Sequence, residues 1–141
     1  MLHNLEKFTS KYISFTTEEI FVLASIFKPF SVKENDFIIK NGDFVSNVYF
    51  LDNGVLKSYI ENNNKICKVK FYFSPIFFSD LHALNNKKES IINFIIVKNS
   101  NIFTTNFQDI MKLCESSEKY EKFFKMIFED DYMFNSSSIK L

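Results

Sequence analysis

The sequence predicts a mainly β fold, a barrel or sandwich of short strands with helices before and after it in the chain. Between Phe30 and about Thr105, short apolar segments alternate with turn signals at regular spacing, which is typical of antiparallel barrels and sandwiches. On both sides of that region the apolar residues follow the helical period instead. The 141 residues are enough for one domain with a single core.

Two helices are predicted ahead of the strands, within residues 2–28. Apolar residues recur at helical spacing over Leu2–Tyr12. Thr16 is followed three residues later by Glu19, the pattern of a capping box in which each side chain bonds the free amide of the other residue. The apolar run Ile20–Phe27 then continues the second helix, and Pro29 ends it.

Asn-Gly pairs mark turns within the β region, because glycine accepts a positive φ without steric cost. Asn41-Gly42 is predicted to follow one strand, and Asn53-Gly54 is predicted to form a hairpin between two more. The predicted barrel spans residues 30–105, and its strands include Phe37–Lys40, Asn47–Asp52, Val55–Ile60, residues 67–73, Ile91–Val97 and Asn101–Thr105.

One strand shows a clear alternation. Cys67, Val69 and Phe71 alternate with Lys68 and Lys70, and the pattern continues through Tyr72 and Phe73. Because side chains on a strand point alternately to its two faces, the sequence predicts that the first three face the core and the two lysines face solvent.

The chain is predicted to end in a short helix, Asn106–Leu113, and a longer one, Glu118–Phe134, with residues 135–141 frayed. Glu-to-Lys pairs four residues apart support the longer helix on one side. The other side is a wide aromatic stripe, which predicts packing against the barrel and also against the same helix of a second copy. The expected dimer contacts are Tyr120, Phe123, Phe124, Ile127 and Phe128.

Composition excludes several classes of function. The formal net charge is zero and all 17 basic residues are lysine, so the chain lacks the arginine fork that binds phosphates and guanine edges bidentately. No signal peptide is present, the apolar runs are too short to span a bilayer, and Cys67 and Cys114 are far apart. We expect a reduced cytoplasmic protein that needs no cofactor, binds no DNA by this chain alone and contacts no membrane.

Several segments carry a family resemblance. The segment 40–43, KNGD, followed by Val48–Leu56, VYFLDNGVL, resembles a signature of the cyclic-nucleotide-binding domains of catabolite-activator and anaerobic-regulator type bacterial transcription regulators. Phe78-Ser79-Asp80-Leu81 resembles the start of their phosphate-binding cassette, and 118–134 lies where they have a dimerisation helix. The resemblance spans about residues 5–134. It implies a double-stranded β-helix (jelly-roll) sensor domain over residues 1–134 that is not an enzyme, and no DNA-binding domain in this chain.

The cassette departs from the pattern of family members that bind cyclic nucleotides. Those members have Gly-Glu, whose Glu holds the ribose, and then Arg-Ala, whose Arg holds the cyclic phosphate; here Ser79-Asp80 and Ser90-Ile91 occupy these positions. We therefore expect a degenerate pocket, which takes a small neutral effector or none and does not bind cyclic AMP with high affinity. The homodimer is expected from the aromatic stripe of the last helix. The candidate pocket residues are Phe78, Ser79, Asp80, Leu81, His82, Ser90 and Ile91.

Two other interpretations remain open at this stage. The first is a structural or protein-interaction domain on the same fold without a small ligand. The second is an enzyme on a jelly-roll barrel, such as a metal-dependent cupin, for which a converging set of histidines and carboxylates would be needed. His3 and His82 are far apart in the sequence, and no spacing relates His82 to Cys114, so neither a metal site nor a catalytic pair is predicted.

Overall fold

The computed structural model describes residues 1–130, and we number its helices and strands in chain order. In that order they are α1 (Leu2–Thr9), α2 (Thr17–Ser25), β1 (Lys28–Phe30), β2 (Phe37–Ile39), β3 (Asn47–Asn62), β4 (Lys65–Phe73), β5 (Ile76–Phe78), α3 (Leu81–Asn86), β6 (Ile92–Asn106), α4 (Phe107–Ser116) and α5 (Glu118–Phe128).

Two long strands organise the sheet. β3 and β6 pair antiparallel from Asn47 opposite Asn106 to Ile60 opposite Ile92. β1 and β2 also pair with β6, while β4 and β5 pair with β3, and every pairing is antiparallel. The predicted fold class, mainly antiparallel β with flanking helices, is confirmed.

The predicted hairpin at Asn53-Gly54 is wrong, because β3 passes through these residues without reversing. Gly54 has a φ of +125°, and a Cβ at this position would lie 1.9 Å from the Ser100 Oγ of β6. The glycine therefore serves a close approach between two strands at a shift in their register. A second predicted break is also absent. The single strand β6 begins at Ile92 and contains most of what was predicted as two strands, Ile91–Val97 and Asn101–Thr105.

The predicted register of β4 is also wrong beyond Cys67. Ile60 lies opposite Cys67 but Ser58 lies opposite Lys70, so β4 has one extra residue here, next to Lys68 with its φ of +52°. Such a bulge moves the following side chains to the other face. Tyr72 is consequently fully buried, whereas Val69 and Phe71, which were predicted to face the core, are 47% and 44% exposed. Lys70, predicted to face solvent, is half-buried.

The helices pack together against one part of the barrel wall. The predicted capping box is present: the Thr16 hydroxyl accepts from the Glu19 amide at 3.1 Å, and the Glu19 carboxylate accepts from the Thr16 amide at 2.8 Å. Lys119 of α5 lies 2.6 Å from the Glu19 carboxylate, and the Tyr120 hydroxyl donates to the Glu19 carbonyl oxygen at 2.8 Å. The first helix of the chain and the last described one thus enclose a common core with α2.

Some predicted helix bounds differ from those observed. α1 ends at Thr9 rather than Tyr12, and α5 ends at Phe128 with Glu129 as its C-cap residue. The last residues of the predicted helix, 131–134, and the predicted frayed tail, 135–141, lie outside the described residues.

Candidate functional site

The segment that resembles a phosphate-binding cassette contains one short helix, the six residues of α3, with a cap at each end. β5 ends at Phe78, and Asp80 caps α3, its Oδ1 accepting from the Ala83 amide at 3.1 Å. α3 ends at Asn86, its C-cap residue Lys87 has a left-handed φ of +52°, and the amide of Lys88 donates to the Ala83 carbonyl oxygen at 3.1 Å. Both lysines are exposed, as expected for loop residues.

The two positions that carry the family's ligand contacts are bonded to each other. The Ser90 hydroxyl donates to Asp80 Oδ2 at 2.7 Å, and the same Ser90 oxygen accepts from the Ile92 amide at 3.0 Å. Asp80 and Ser90 are each 1% exposed. The carboxylate therefore receives hydrogen bonds from the chain's own groups on both oxygens, and it is turned away from solvent.

The Asn41-Gly42 turn holds the far end of the cassette. Gly42 has a φ of +100°, its amide donates to the Ser90 carbonyl oxygen at 2.8 Å, and the Ser90 amide donates to the Asp43 carbonyl oxygen at 2.8 Å. The Asn41 amide is bonded at 2.9 Å to the side-chain oxygen of Asn93, on β6. The Asn41-Gly42 turn thus positions Ser90. From the sequence alone, this pair predicted only a turn.

The remaining candidate residues do not converge on one opening. Ser79 is fully buried and its hydroxyl donates to the Asn47 carbonyl oxygen at 2.7 Å. Leu81 packs into the core formed by the helices, whereas Ile91 is half-buried against the barrel interior. His82 is exposed on α3. The structure brings Asp80 and Ser90 together and distributes the other predicted residues over three different environments.

Aromatic side chains fill the barrel next to the cassette. Phe78 is fully buried between Tyr49 and Phe94, with ring centroids 5.2 and 5.6 Å away and nearly parallel planes. Tyr72 joins the group at 6.1 Å from Phe78 and 5.8 Å from Phe94. Burial is the main cause that raises the pKa of the Tyr49 phenol. The interior that the predicted pocket would open into is occupied by the chain's own rings.

One residue of the barrel interior was missed by the sequence reasoning. Lys70 lies directly opposite Ser58, which is 1% exposed on the inner face of β3. Because opposite residues in a sheet share a face, the Lys70 side chain leaves β4 on the inner side. The alternation of residue types along β4 did not predict the inward direction of Lys70, because the bulge beside Lys68 reverses which face each later side chain occupies.

The cysteine and histidine candidates show no catalytic arrangement. Burial raises the pKa of the Cys114 thiol to about 11, and the nearby Glu121 carboxylate adds to the effect, so this cysteine is protonated at neutral pH and is a poor nucleophile. Within residues 1–130, no three side chains of the His, Cys, Asp and Glu types lie close enough to hold a metal ion. The helices in the same part of the chain are too short and too polar to cross a bilayer.

The proposed dimer stripe of α5 is used mostly within the chain. Tyr120, Phe123, Phe124 and Ile127 are buried against α1, α2, α4 and the barrel wall, and only Phe128 is half-buried. The predicted packing within one copy is therefore present for four of the five side chains, and their contact with a second copy stays a prediction. The stripe on α5 is wide because it contacts three helices and the barrel wall within one copy.

Comparison with known proteins places the fold. No protein-family model matches the sequence, and no curated protein matches it. Solved structures do match. A cyclic nucleotide-binding domain from Methylobacillus flagellatus aligns with a TM-score of 0.74 at 11% identity, covering 93% of this chain and 80% of that one. The catabolite activator protein of Thermus thermophilus aligns with a TM-score of 0.72 at 13% identity, covering 81% of this chain and 54% of that one.

A transcriptional regulator from Thermotoga maritima gives a TM-score of 0.66 at 17% identity, covering 79% of this chain and 88% of that one. The alignment with the Thermus protein spans only about half of that protein's length. Identities this low establish the fold and leave the activity to be argued from the site. The chain has the jelly-roll fold of the cyclic-nucleotide-binding domains, as its turn and cassette motifs predicted.

Proposed function

We propose that the chain is a cytoplasmic, non-enzymatic regulatory domain, the sensor part of a regulator of the catabolite-activator type, with a degenerate cyclic-nucleotide pocket. The observation that carries the proposal is the hydrogen bond of 2.7 Å between Ser90 and Asp80. In the family that the sequence resembles, these two positions hold the phosphate and the ribose. Here each satisfies the other, so neither side chain is directed at a ligand.

The chemistry of a cyclic nucleotide supports the same conclusion. Its phosphate brings a negative charge into a partly closed site, which is costly unless a cation and hydrogen bonds replace the solvent. At this position the chain offers the neutral Ser90, beside the acidic Asp80, and the neighbouring Lys87 and Lys88 are exposed on a loop. A neutral effector fits these residues better than an anionic one.

A second candidate function is a domain that binds no small molecule and acts through protein contacts alone. The filled barrel interior favours it, because Tyr72, Phe78 and Phe94 are all fully buried at the place where an effector would enter. For an effector to bind there, at least one of these rings would have to move.

Native mass spectrometry of the full chain, purified without denaturant, distinguishes the two candidates. A sensor of a neutral effector should carry a small molecule in a one-to-one ratio, or gain thermal stability from one in a screen, since a ligand of the folded state raises the melting temperature. The variant Phe78→Leu should change that gain. If no compound copurifies and none shifts the melting temperature, the ligand-free interpretation replaces the sensor.

We also propose that the chain forms a homodimer, on a narrower basis than the sequence suggested. A groove of about 610 Å³ lies along α4 and α5, lined by Met111, Cys114 and Phe128 among charged residues. Met111 is 44% exposed, and an apolar groove of this kind is a common site of self-association. Sedimentation velocity should show a dimer that Met111→Lys dissociates, and a monomer at every concentration would contradict it.

A further inference from the structure

The outer surface of the sheet is covered along one part and open along another. In the first half of β3, Val48 and Phe50 are fully buried under the helices, together with Phe77 of β5. Beyond Gly54, the outward side chains of β3 are half-buried, and those of its neighbour β4 are exposed. We call the second part the open sheet face and define it by the five exposed apolar side chains Phe37, Ile66, Val69, Phe71 and Phe73.

The open sheet face concentrates the exposed apolar surface of the protein. Of the ten large hydrophobic side chains that are exposed within residues 1–130, five belong to it. Four of these lie on the nine residues of β4, where Ile66 and Phe73 are 61% and 62% exposed. Several exposed apolar side chains grouped on one face of a sheet are typical of interaction sites.

The side chains of this face form a row across four strands. Phe71 lies opposite Lys57, Lys57 lies opposite Ile95, and Ile95 lies opposite Phe37. Neighbouring strands are about 4.8 Å apart, so the row spans roughly 14 Å. An α-helix rises about 1.5 Å per residue, so about ten residues of one helix lying along the row would cover it.

Positive charges lie within and beside the face. Lys57 lies within the row on β3, and the Lys40 ammonium lies 5.1 Å from the ring centroid of Phe37. Glu61, near the end of β3, is opposite Ile66. A partner with acidic groups beside its apolar surface would complement this arrangement, which directs binding and speeds association.

We propose that the open sheet face binds an amphipathic helix of a partner protein, whose apolar stripe is flanked by aspartate or glutamate. The covered part of the same sheet supports a helix as the occupant, since there the chain buries Val48 and Phe50 under its own helices. A lipid surface is disfavoured by the hairpin tip beside the face, which is the polar Asn62-Asn63-Asn64. The proposal does not depend on whether the barrel binds an effector.

A pair of synthetic helical peptides tests the proposal with the full chain. Each peptide is about 18 residues long and has one stripe of leucines along the helix. Glutamates flank the stripe in the acidic peptide, and lysines flank it in the lysine peptide. In fluorescence anisotropy the acidic peptide should bind saturably, with an affinity that falls as salt is added. The lysine peptide should bind at least about tenfold more weakly. Equal binding of the two peptides would overturn the charge argument.

Variants locate the binding site. The double variant Phe37→Ser/Phe71→Ser should weaken binding of the acidic peptide by about tenfold or more, because these two side chains are the apolar ends of the row and truncating the apolar contacts that carry binding energy usually costs at least that factor. Phe21→Ser, at a side chain that is 55% exposed on α2, is the matched control and should bind as the wild type does. Both should keep the wild-type circular dichroism spectrum. Unchanged peptide binding by the double variant would overturn the proposal. The proposal would also be overturned if the protein bound vesicles of equal parts phosphatidylcholine and phosphatidylglycerol but did not bind the acidic peptide.

Discussion

Replacing Ser90 by alanine should destabilise the protein by removing two buried hydrogen bonds at once. The Ser90 hydroxyl donates to the Asp80 carboxylate at 2.7 Å, and its oxygen accepts from the Ile92 amide at 3.0 Å. A hydrogen bond to a charged group contributes about 1.5–3 kcal/mol, and leaving a buried amide without its acceptor costs about 1–3 kcal/mol. The free energy of unfolding should therefore fall by about 2.5–6 kcal/mol, a large part of the total of a small domain.

Urea denaturation followed by circular dichroism measures this loss. Ser10→Ala is the control, because the Ser10 hydroxyl bonds the Lys7 carbonyl oxygen at 2.9 Å on the exposed surface, where such a change usually costs about 0.5 kcal/mol or less. A double-mutant cycle with Asp80→Ala isolates the pair and should give a coupling energy of about 1.5–3 kcal/mol. A coupling below about 0.5 kcal/mol would refute the inference that the pair closes the cassette.

Three further predictions concern the sheet, the helical core and a surface ion pair. Gly54→Ala should cost more stability than Gly42→Ala in the same urea assay, because the new Cβ would meet Ser100 at 1.9 Å whereas nothing lies within 4 Å at Gly42; equal losses would contradict the close approach. Phe123→Ala should cost about 3–5 kcal/mol at any protein concentration, since the ring is fully buried within one copy; a loss that depends on concentration would instead indicate a dimer contact. The hydrogen bond from Lys119 is the main cause that lowers the pKa of the Glu19 carboxyl, so the stability that this carboxylate adds above pH 4.5 should decline as the pH falls through the lowered pKa. Lys119→Met should raise this pKa in an NMR titration, and an unchanged pKa would contradict the assignment.

Local signals in the sequence predicted those parts of the fold that local chemistry determines. The capping box of Thr16 and Glu19 involves residues three apart, and both of its hydrogen bonds are present. Positive φ at Gly42 and Gly54 was also expected. The structure formed at each glycine was not predicted, because a positive φ is compatible with both. Gly42 lies in a turn, whereas Gly54 lies at a bulge in a continuous strand.

Features that depend on distant residues escaped prediction. Whether β3 reverses at Gly54 is decided by β6, about fifty residues later, which pairs with both halves of β3. The face on which Phe71 and Lys70 lie is decided by a bulge whose only local sign is the backbone of Lys68. The bond between Asp80 and Ser90 is likewise invisible in the sequence, because Ser90 is positioned by the turn at Gly42.

The central claim is that the closed Asp80–Ser90 pair leaves the domain without a cyclic-nucleotide site of sensor-grade affinity, and isothermal titration calorimetry with cyclic AMP and cyclic GMP tests it most directly. Without a charge-assisted contact to the phosphate, the affinity should be about tenfold to a hundredfold below that of a site with the arginine. We predict that neither nucleotide binds with a low-micromolar dissociation constant in titrations up to millimolar ligand. A low-micromolar dissociation constant for either one would contradict the account, and Lys70→Met would then be the first variant to test, since Lys70 lies on the inner face of the barrel.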